Sequence, residues 1–249
     1  MADWEQADEE RFEVEKDRAE MDRAEMDRAE KAIAAETAAA LVEDGMTVGL
    51  GTGSTVAFLL PALAARHLSI HCVATSPATE NLGRAAGLTI EAFDSPGAPT
   101  RLDIAIDGAD QVAPDGWLVK GAGAAHTREK VVAATTDRFV VIVSANKLVE
   151  ALAPPVPLEI LAFGSPSTFR RLGGAIPRPE TPRSPEGGLI ADWIHNFSSP
   201  EALSRYLDGV PGVISHGLFP PSMVHDVIVA GRHYRCPPSV EAGSTWVHC

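Results

Sequence analysis

Between residues 46 and 143, short apolar stretches alternate with helix-forming ones, and this alternation narrows the possible folds more than any other feature of the chain. Met46-Thr-Val-Gly-Leu reads as a buried strand, Gly51-Thr-Gly-Ser-Thr as a glycine turn and 54–66 as a helix. A strand at 69–74, a helix at 77–87, a strand at 88–93 and a strand at 102–106 running into Asp107 follow. A helix at 127–137 then leads to Phe139-Val-Val-Ile-Val, which is apolar throughout. Strands without a polar face must be covered on both sides, and helices between them supply the cover. The expected fold class is therefore α/β, a Rossmann-like, mostly parallel sheet, occupying 31–155.

The rest of the chain reads differently. Ala153-Pro-Pro-Val-Pro has the composition of a linker, and 156–230 carries two helical segments, at 165–172 and 199–208, with strand candidates at 189–191 and 224–229. A second, smaller α+β domain is expected there. Residues 231–249, broken by Pro237-Pro238, are expected to form a tail returning to the main domain. At the other end, 1–30 form an acidic extension. Residues 1–31 hold 13 acids and six bases, a net −7 within the chain's −13, and repeat Asp17-Arg-Ala-Glu-Met, Asp22-Arg-Ala-Glu-Met, Asp27-Arg-Ala-Glu-Lys. Five residues advance a helix by about 140° beyond one turn, so Met21 and Met26 build no apolar stripe. A solvated helix or a disordered tail is expected. From Lys31 onward alanine-rich helix formers lead to a stop at Gly45.

Charge and cysteines limit the function classes. With 34 acids against 21 bases, the chain is a poor partner for nucleic acid, so any anion must be held locally. No apolar run reaches membrane-spanning length, and no basic segment followed by an apolar core opens the chain. Cys72, Cys236 and Cys249 are an odd set without a CxxC pair, which suggests neither a disulfide framework nor a zinc site. A cytoplasmic protein is expected, with no nucleic-acid or membrane partner.

Three clusters carry the chemistry. Gly49-Leu-Gly51-Thr52-Gly53-Ser54-Thr55 follows a strand and opens a helix, where free amides and the helix dipole attract an anion. Ser54 and Val56 stand where a dinucleotide fingerprint needs glycine, and no GK[ST] ending completes a P-loop, so a phosphate cradle or a plain tight turn is left. Asp107-Gly108-Ala109-Asp110 stands at a strand's carboxyl end, where open α/β sheets line their ligand crevice, though Asp and Gly are also common turn residues. Lys120-Gly121-Ala122-Gly123-Ala-Ala-His126-Thr-Arg-Glu129-Lys places a lysine and a glycine-rich loop before a helix with an acid in its first turn. His126 reads as structural.

As a set, in this order and spacing, the clusters resemble the ribose-5-phosphate isomerase A family, with its TGST loop, DGAD motif, KGGG…REK segment and later lysine. The resemblance covers about 31–219. It implies a Rossmann-like domain with a smaller lid-like domain, a homodimer or homotetramer, and interconversion of ribose 5-phosphate and ribulose 5-phosphate without metal, nucleotide or redox cofactor. Carried over by position, Thr52, Gly53, Ser54 and Thr55 hold the phosphate of a small phosphorylated sugar, with Lys147 and Lys31 adding positive charge. Asp107 and Asp110 contact sugar hydroxyls, Gly108, Ala109, Gly121, Ala122 and Gly123 complete the walls, Glu129 is the general base and Lys120 meets the developing oxyanion. The chain departs from the pattern at Ala122, at Gln111, at Ser144-Ala-Asn146-Lys147 in place of D-x-S-K, and at Arg183-Ser-Pro-Glu-Gly-Gly in the smaller domain. A paralogue acting on another sugar phosphate and a non-catalytic sugar-phosphate sensor are the alternatives. The sensor lacks the basic helix-turn-helix a repressor needs, and a coenzyme A transferase on a related fold needs its glutamate in a different loop.

Overall fold

The computed structural model describes residues 3–235 and 247–248, with side chains for residue 16 and for 18–235; Cys236, Cys249 and Pro237-Pro238 lie outside the described residues. No glycine or proline interrupts 3–44, so nothing stops a helix where the composition changes at residue 31, and α1 (Asp3–Ala39) runs through the acidic repeat and the alanine-rich segment alike. It ends before the expected stop at Gly45, because the Arg66 guanidinium donates to the carbonyls of Ala39 and Val42 and takes over the helix end.

The expected alternation follows as β1 (Thr47–Leu50), α2 (Val56–Ala64), β2 (His71–Ala74), α3 (Pro77–Ala85), β3 (Thr89–Glu91) and β4 (Ile104–Asp107). A short hairpin, β5 (Gln111–Val112) and β6 (Leu118–Val119), precedes α4 (His126–Thr135) and β7 (Phe139–Val143). A 3-10 turn (Ala145–Lys147) leads to β8 (Val156–Ile160), α5 (Ser165–Leu172), β9 (Ala175–Pro177), β10 (Leu189–Trp193), α6 (Pro200–Asp208) and β11 (Val213–His216). The chain closes with β12 (Leu218–Phe219), β13 (Asp226–Val229), β14 (Arg232–Arg235) and β15 (Val247–His248).

The large sheet has the order β15-β14-β13-β7-β4-β1-β2-β3, parallel from β13 to β3. β8, β9, β10 and β11 make an antiparallel sheet in the order β11-β8-β10-β9, and β12 joins the hairpin as β12-β6-β5. Two strands differ from the sequence reading. The 224–229 strand candidate, assigned to the smaller domain, is β13 and pairs in parallel with β7, extending the large sheet. The proline-rich run read as a linker is partly strand: β8 is the second strand of the antiparallel sheet and includes Pro157. Pro157 is tolerated because what it meets beside β11 is a donor, Gly217 N, which gives its hydrogen to Pro157 O at 2.7 Å.

Packing fixes where α4 lies. On one face of the large sheet Ala34, Ala35, Ala38, Val42, Leu59 and Leu60 cover Val48, Leu50, Ile104 and Ile106. On the other, Val132 and Ala133 of α4 cover Ala105, Phe139 and Val141. A methyl group on Gly49 would stand 2.5 Å from Val132 Cγ1 and 2.8 Å from Ala105 Cβ, so α4 seats on β1 because that position is glycine. No helix among the described residues is long and apolar enough to cross a membrane.

Candidate active site

The site is built at the carboxyl ends of β1 and β4, which pair as Leu50↔Ile106. The glycine turn leaves β1 with Gly51 N donating to Ile106 O at 3.0 Å. A Cβ on Gly51 would fall 2.0 Å from Asp107 Cγ, so only glycine lets the turn approach that carboxylate. Asp107 Oδ1 then accepts from Thr52 N at 3.0 Å and Gly108 N at 2.7 Å. The turn proceeds through Gly53 at φ +126°, and α2 starts without a side-chain cap from Thr55, so no side chain occupies its first-turn amides.

Beneath the turn, three ionisable side chains are buried together. Lys120 Nζ lies 2.8 Å from Asp107 Oδ2 and 3.2 Å from Glu129 Oε2, and also donates to Gly108 O. All three side chains are 3% exposed or less. Each is pinned from the backbone. Lys120 N donates to Gly217 O at 2.8 Å, and a Cβ on Gly217 would overlap the Lys120 carbonyl, so β6 and the β11–β12 junction meet only over glycine. Glu129 is held in the first turn of α4, where the helix dipole favours an anion.

Burial dominates the electrostatics here. It drives the Glu129 carboxyl up to about 8; the neighbouring Asp107 charge pushes the same way, and Lys120 opposes both. Asp107 is likewise raised by burial, against the pull of Lys120 and the amides of Gly108 and Thr52. Burial alone would lower Lys120, but the two carboxylates outweigh it and hold the ammonium above its ordinary value. Lys120 is thus a permanent cation, while Glu129 sits where a base working near neutral pH must be.

A cleft of about 330 Å³ opens over this cluster. Its wall contains Lys120 and Glu129, the loop residues Thr52, Gly53, Ser54 and Thr55, then Gly108, Ala109 and Asp110, then Gly121, Ala122 and Gly123, with Lys31 and Lys147 completing it. Asp107, expected at sugar hydroxyls, is off the wall: its oxygens are engaged by two amides and by Lys120, which makes it the holder of that lysine. Asp110 is on the wall and accepts from Ala122 N at 2.8 Å. His126 is fully buried, and burial pushes it down to about 3, so its ring is neutral packing under Gly121. Among the described residues no group of three or more His, Cys, Asp or Glu is arranged to hold a metal ion.

Further residues support the site without any sequence motif to announce them. Arg178 is fastened to Asp192 by two bonds of 2.6 Å and reaches the carbonyls of Gly121 and Ala122, at 3.2 Å each, from the smaller sheet. Glu159 of β8, 1% exposed, accepts from Thr127 at the start of α4 and from Ser184. The Phe219 ring lies 5.4 Å from Lys120 Nζ and 5.1 Å from Lys130 Nζ, a cation on each count within reach of its π-face. A charged residue inside an otherwise apolar run, as Glu159 within Val-Pro-Leu-Glu-Ile, is the one signal sequence alone carries for this layer.

Comparison with known proteins gives a consistent result. The family model for ribose 5-phosphate isomerase A (phosphoriboisomerase A) matches residues 71–233. The chain is 44% identical over 205 residues to "Ribose-5-phosphate isomerase A" of Roseiflexus sp. (strain RS-1), covering 75% of this chain and 85% of that protein. It is 42% identical over 188 residues to the protein of the same name from Halobacterium salinarum (strain ATCC 29341 / DSM 671 / R1), covering 72% and 81%. Among solved structures, ribose 5 phosphate isomerase A from Neisseria gonorrhoeae superposes with a TM-score of 0.77 at 28% identity, over 89% of this chain and 97% of that one. A D-ribose-5-phosphate isomerase in complex with phospho-erythronic acid superposes with a TM-score of 0.74 at 32% identity, over 81% and 93%.

Proposed function

The chain belongs to the ribose-5-phosphate isomerase A family, and from that premise we propose that it interconverts ribose 5-phosphate and ribulose 5-phosphate through a cis-enediolate, with Glu129 as the base. The observation that carries the reading is the buried Lys120 shared by Asp107 and Glu129 on the floor of the cleft. Aldose–ketose isomerisation moves one proton between C2 and C1. The Glu129 carboxylate takes the C2 proton and electrons move toward the C1 carbonyl oxygen; the O2 hydroxyl proton then passes to O1, and the resulting carboxylic acid returns its proton at C1 as the carbonyl forms at C2. Lys120 remains an ammonium and stabilises the oxyanion of the enediolate, a role suited to a fixed charge in a site shielded from water. Asp107 orients Lys120, and Asp110 accepts from the sugar hydroxyls and assists ring opening.

At the other end, the Thr52–Thr55 loop, with Lys31 and Lys147, receives the phosphate. A related enzyme holds phospho-erythronic acid, a phosphorylated sugar acid, and the present cleft offers matching partners for a phosphate at one end and a charged oxygen at the other. We read the enzyme as a cytoplasmic homo-oligomer needing no cofactor, in keeping with an odd number of cysteines that includes no CxxC pair and with the fixed cation that Lys120 supplies.

The test is direct. Purified protein is incubated with ribose 5-phosphate and with neighbouring aldose phosphates, and ketose formation is followed. Ribulose 5-phosphate forming fastest from ribose 5-phosphate is the expected result. Faster turnover of another aldose phosphate would assign a different substrate, and binding without turnover would make the chain a sensor.

A further inference from the structure

The acidic repeat places three copies of Asp-Arg-Ala-Glu on one helix, each rotated by about 140° from the last. Copies that are identical in sequence therefore face in different directions. Asp22 and Glu25 of the second copy are exposed. The third copy falls on the face that continues, two and three turns on, as the fully buried Ala34, Ala35 and Ala38.

Its carboxylates are occupied. Asp27 Oδ1 accepts from Ser144 Oγ at 2.6 Å and from Asn146 Nδ2 at 3.1 Å, and Oδ2 meets Lys31 Nζ at 2.6 Å. Glu30 Oε2 accepts from Ala145 N at 2.7 Å. The bonds from Ser144, Ala145 and Asn146 hold the 3-10 turn that carries Lys147, while the fourth holds Lys31, and both lysines line the cleft beside Ser54 and Thr55.

We propose that Asp27, assisted by Glu30, is a positioning residue for the phosphate end of the cleft, holding the Lys31 ammonium and the turn that carries Lys147 in place before substrate arrives. The proposal rests on the reading of those lysines as phosphate ligands. Lysine side chains are long and flexible, and an ammonium ordered in advance, beside a turn held in place, meets an anion without that ordering cost at binding. An ammonium has three donors; one rests on Asp27, and the others remain for the anion. Lys31 and Ser144 also keep Asp27 well below the usual carboxylate range, so the hold persists across the working pH.

Four variants, Asp27→Ala, Asp27→Asn, Asp22→Ala and Lys31→Ala, are compared for kcat and KM with ribose 5-phosphate and for competitive inhibition by inorganic phosphate, with thermal midpoints measured alongside. Asp27→Ala should raise both KM and the phosphate inhibition constant about tenfold, with kcat within twofold of the parent. Asp27→Asn keeps its acceptor for Ser144 but loses the Lys31 ion pair, and should fall between; it serves as the readout if the alanine variant does not fold. Asp22→Ala, the same residue in an exposed copy, should change nothing. A loss confined to kcat, or no difference between Asp27→Ala and Asp22→Ala while Lys31→Ala raises KM, overturns the positioning role alone. Should Lys31→Ala also leave KM and phosphate inhibition untouched, the phosphate reading fails together with it.

Discussion

The two ends of the cleft are built from opposite materials. At the inner end Lys120, Asp107 and Glu129 are almost wholly buried and answer to one another across 2.8 and 3.2 Å. At the outer end Ser54 is exposed, Lys31 and Lys147 are half-buried, and the partners offered to a ligand are hydroxyls, amides and ammonium groups. Burial makes charges interact strongly and moves their protonation, which chemistry needs; access lets an anion arrive, which binding needs. Changes at the inner end should therefore fall on turnover, and changes at the outer end on affinity.

The largest effect expected is from Glu129→Gln. The amide keeps the shape but cannot accept the C2 proton, so kcat should fall by at least ~10²–10⁴-fold while substrate binding stays within a few-fold. Near-normal turnover would remove Glu129 from the mechanism and dissolve the contrast between the ends. Gly51→Ala should come next, because the added methyl collides with the Asp107 carboxylate that holds Lys120. A shift of about 1 Å at that lysine should cost about 10²-fold in kcat; unchanged kinetics would mean the turn and carboxylate do not depend on each other.

The outer end is probed by Ser54→Ala combined with Thr55→Val, which deletes two hydroxyl donors to a charged group. Hydrogen bonds to charged groups are worth ~1.5–3 kcal/mol each, fewer where water competes, as at the exposed Ser54. Weaker binding of phosphorylated sugars, with little change for free ribose, is the expected pattern, and equal loss for both would make the loop a structural turn. Smaller still is the pH effect. Glu129 works as a base only when ionised and is pushed up to about 8 by burial and by Asp107. Accordingly kcat/KM should rise about tenfold per pH unit below about 8 and level off above it; a flat profile from pH 6 to 9 would contradict the shift. The smallest change should come from Lys147→Ala, a few-fold weaker phosphate binding, less than the double loop variant. A larger loss there would make that turn the dominant phosphate holder.

Legibility in the sequence followed the same division. Asp107, Lys120, Glu129 and the Thr52–Thr55 loop each sit within a few residues of a strand end or helix start, so local pattern was enough to single them out and their order was enough to suggest a family. What was illegible depends on residues far apart in sequence. Arg178 reaches the Gly121 and Ala122 carbonyls across more than 50 positions, and Asp27 meets Ser144 across more than 100. Neither side chain stands in a recognisable motif, and the five-residue period disguised which copy of the repeat would be used. The same limit hid the place of β13: a mostly apolar strand at 226–229 reads alike whether it joins a small sheet or a large one, and only its register with β7 decides. Asp107 shows the limit at close range, since its motif predicts a carboxylate at the crevice but not that backbone amides and Lys120 would already occupy it.

The proton transfer assigned to Glu129 can be observed by running the reaction in D2O and reading deuterium at C1 of the ketose by NMR, for the parent enzyme and for Glu129→Gln. The proton held on Glu129 is open to exchange with solvent, in competition with its return to C1, during the life of the enediolate. The parent should therefore place solvent deuterium at C1 of ribulose 5-phosphate, and Glu129→Gln should lose both turnover and label uptake together. Glu129→Gln that still turns over, or that incorporates deuterium at C1 at the parent's rate, would contradict the account.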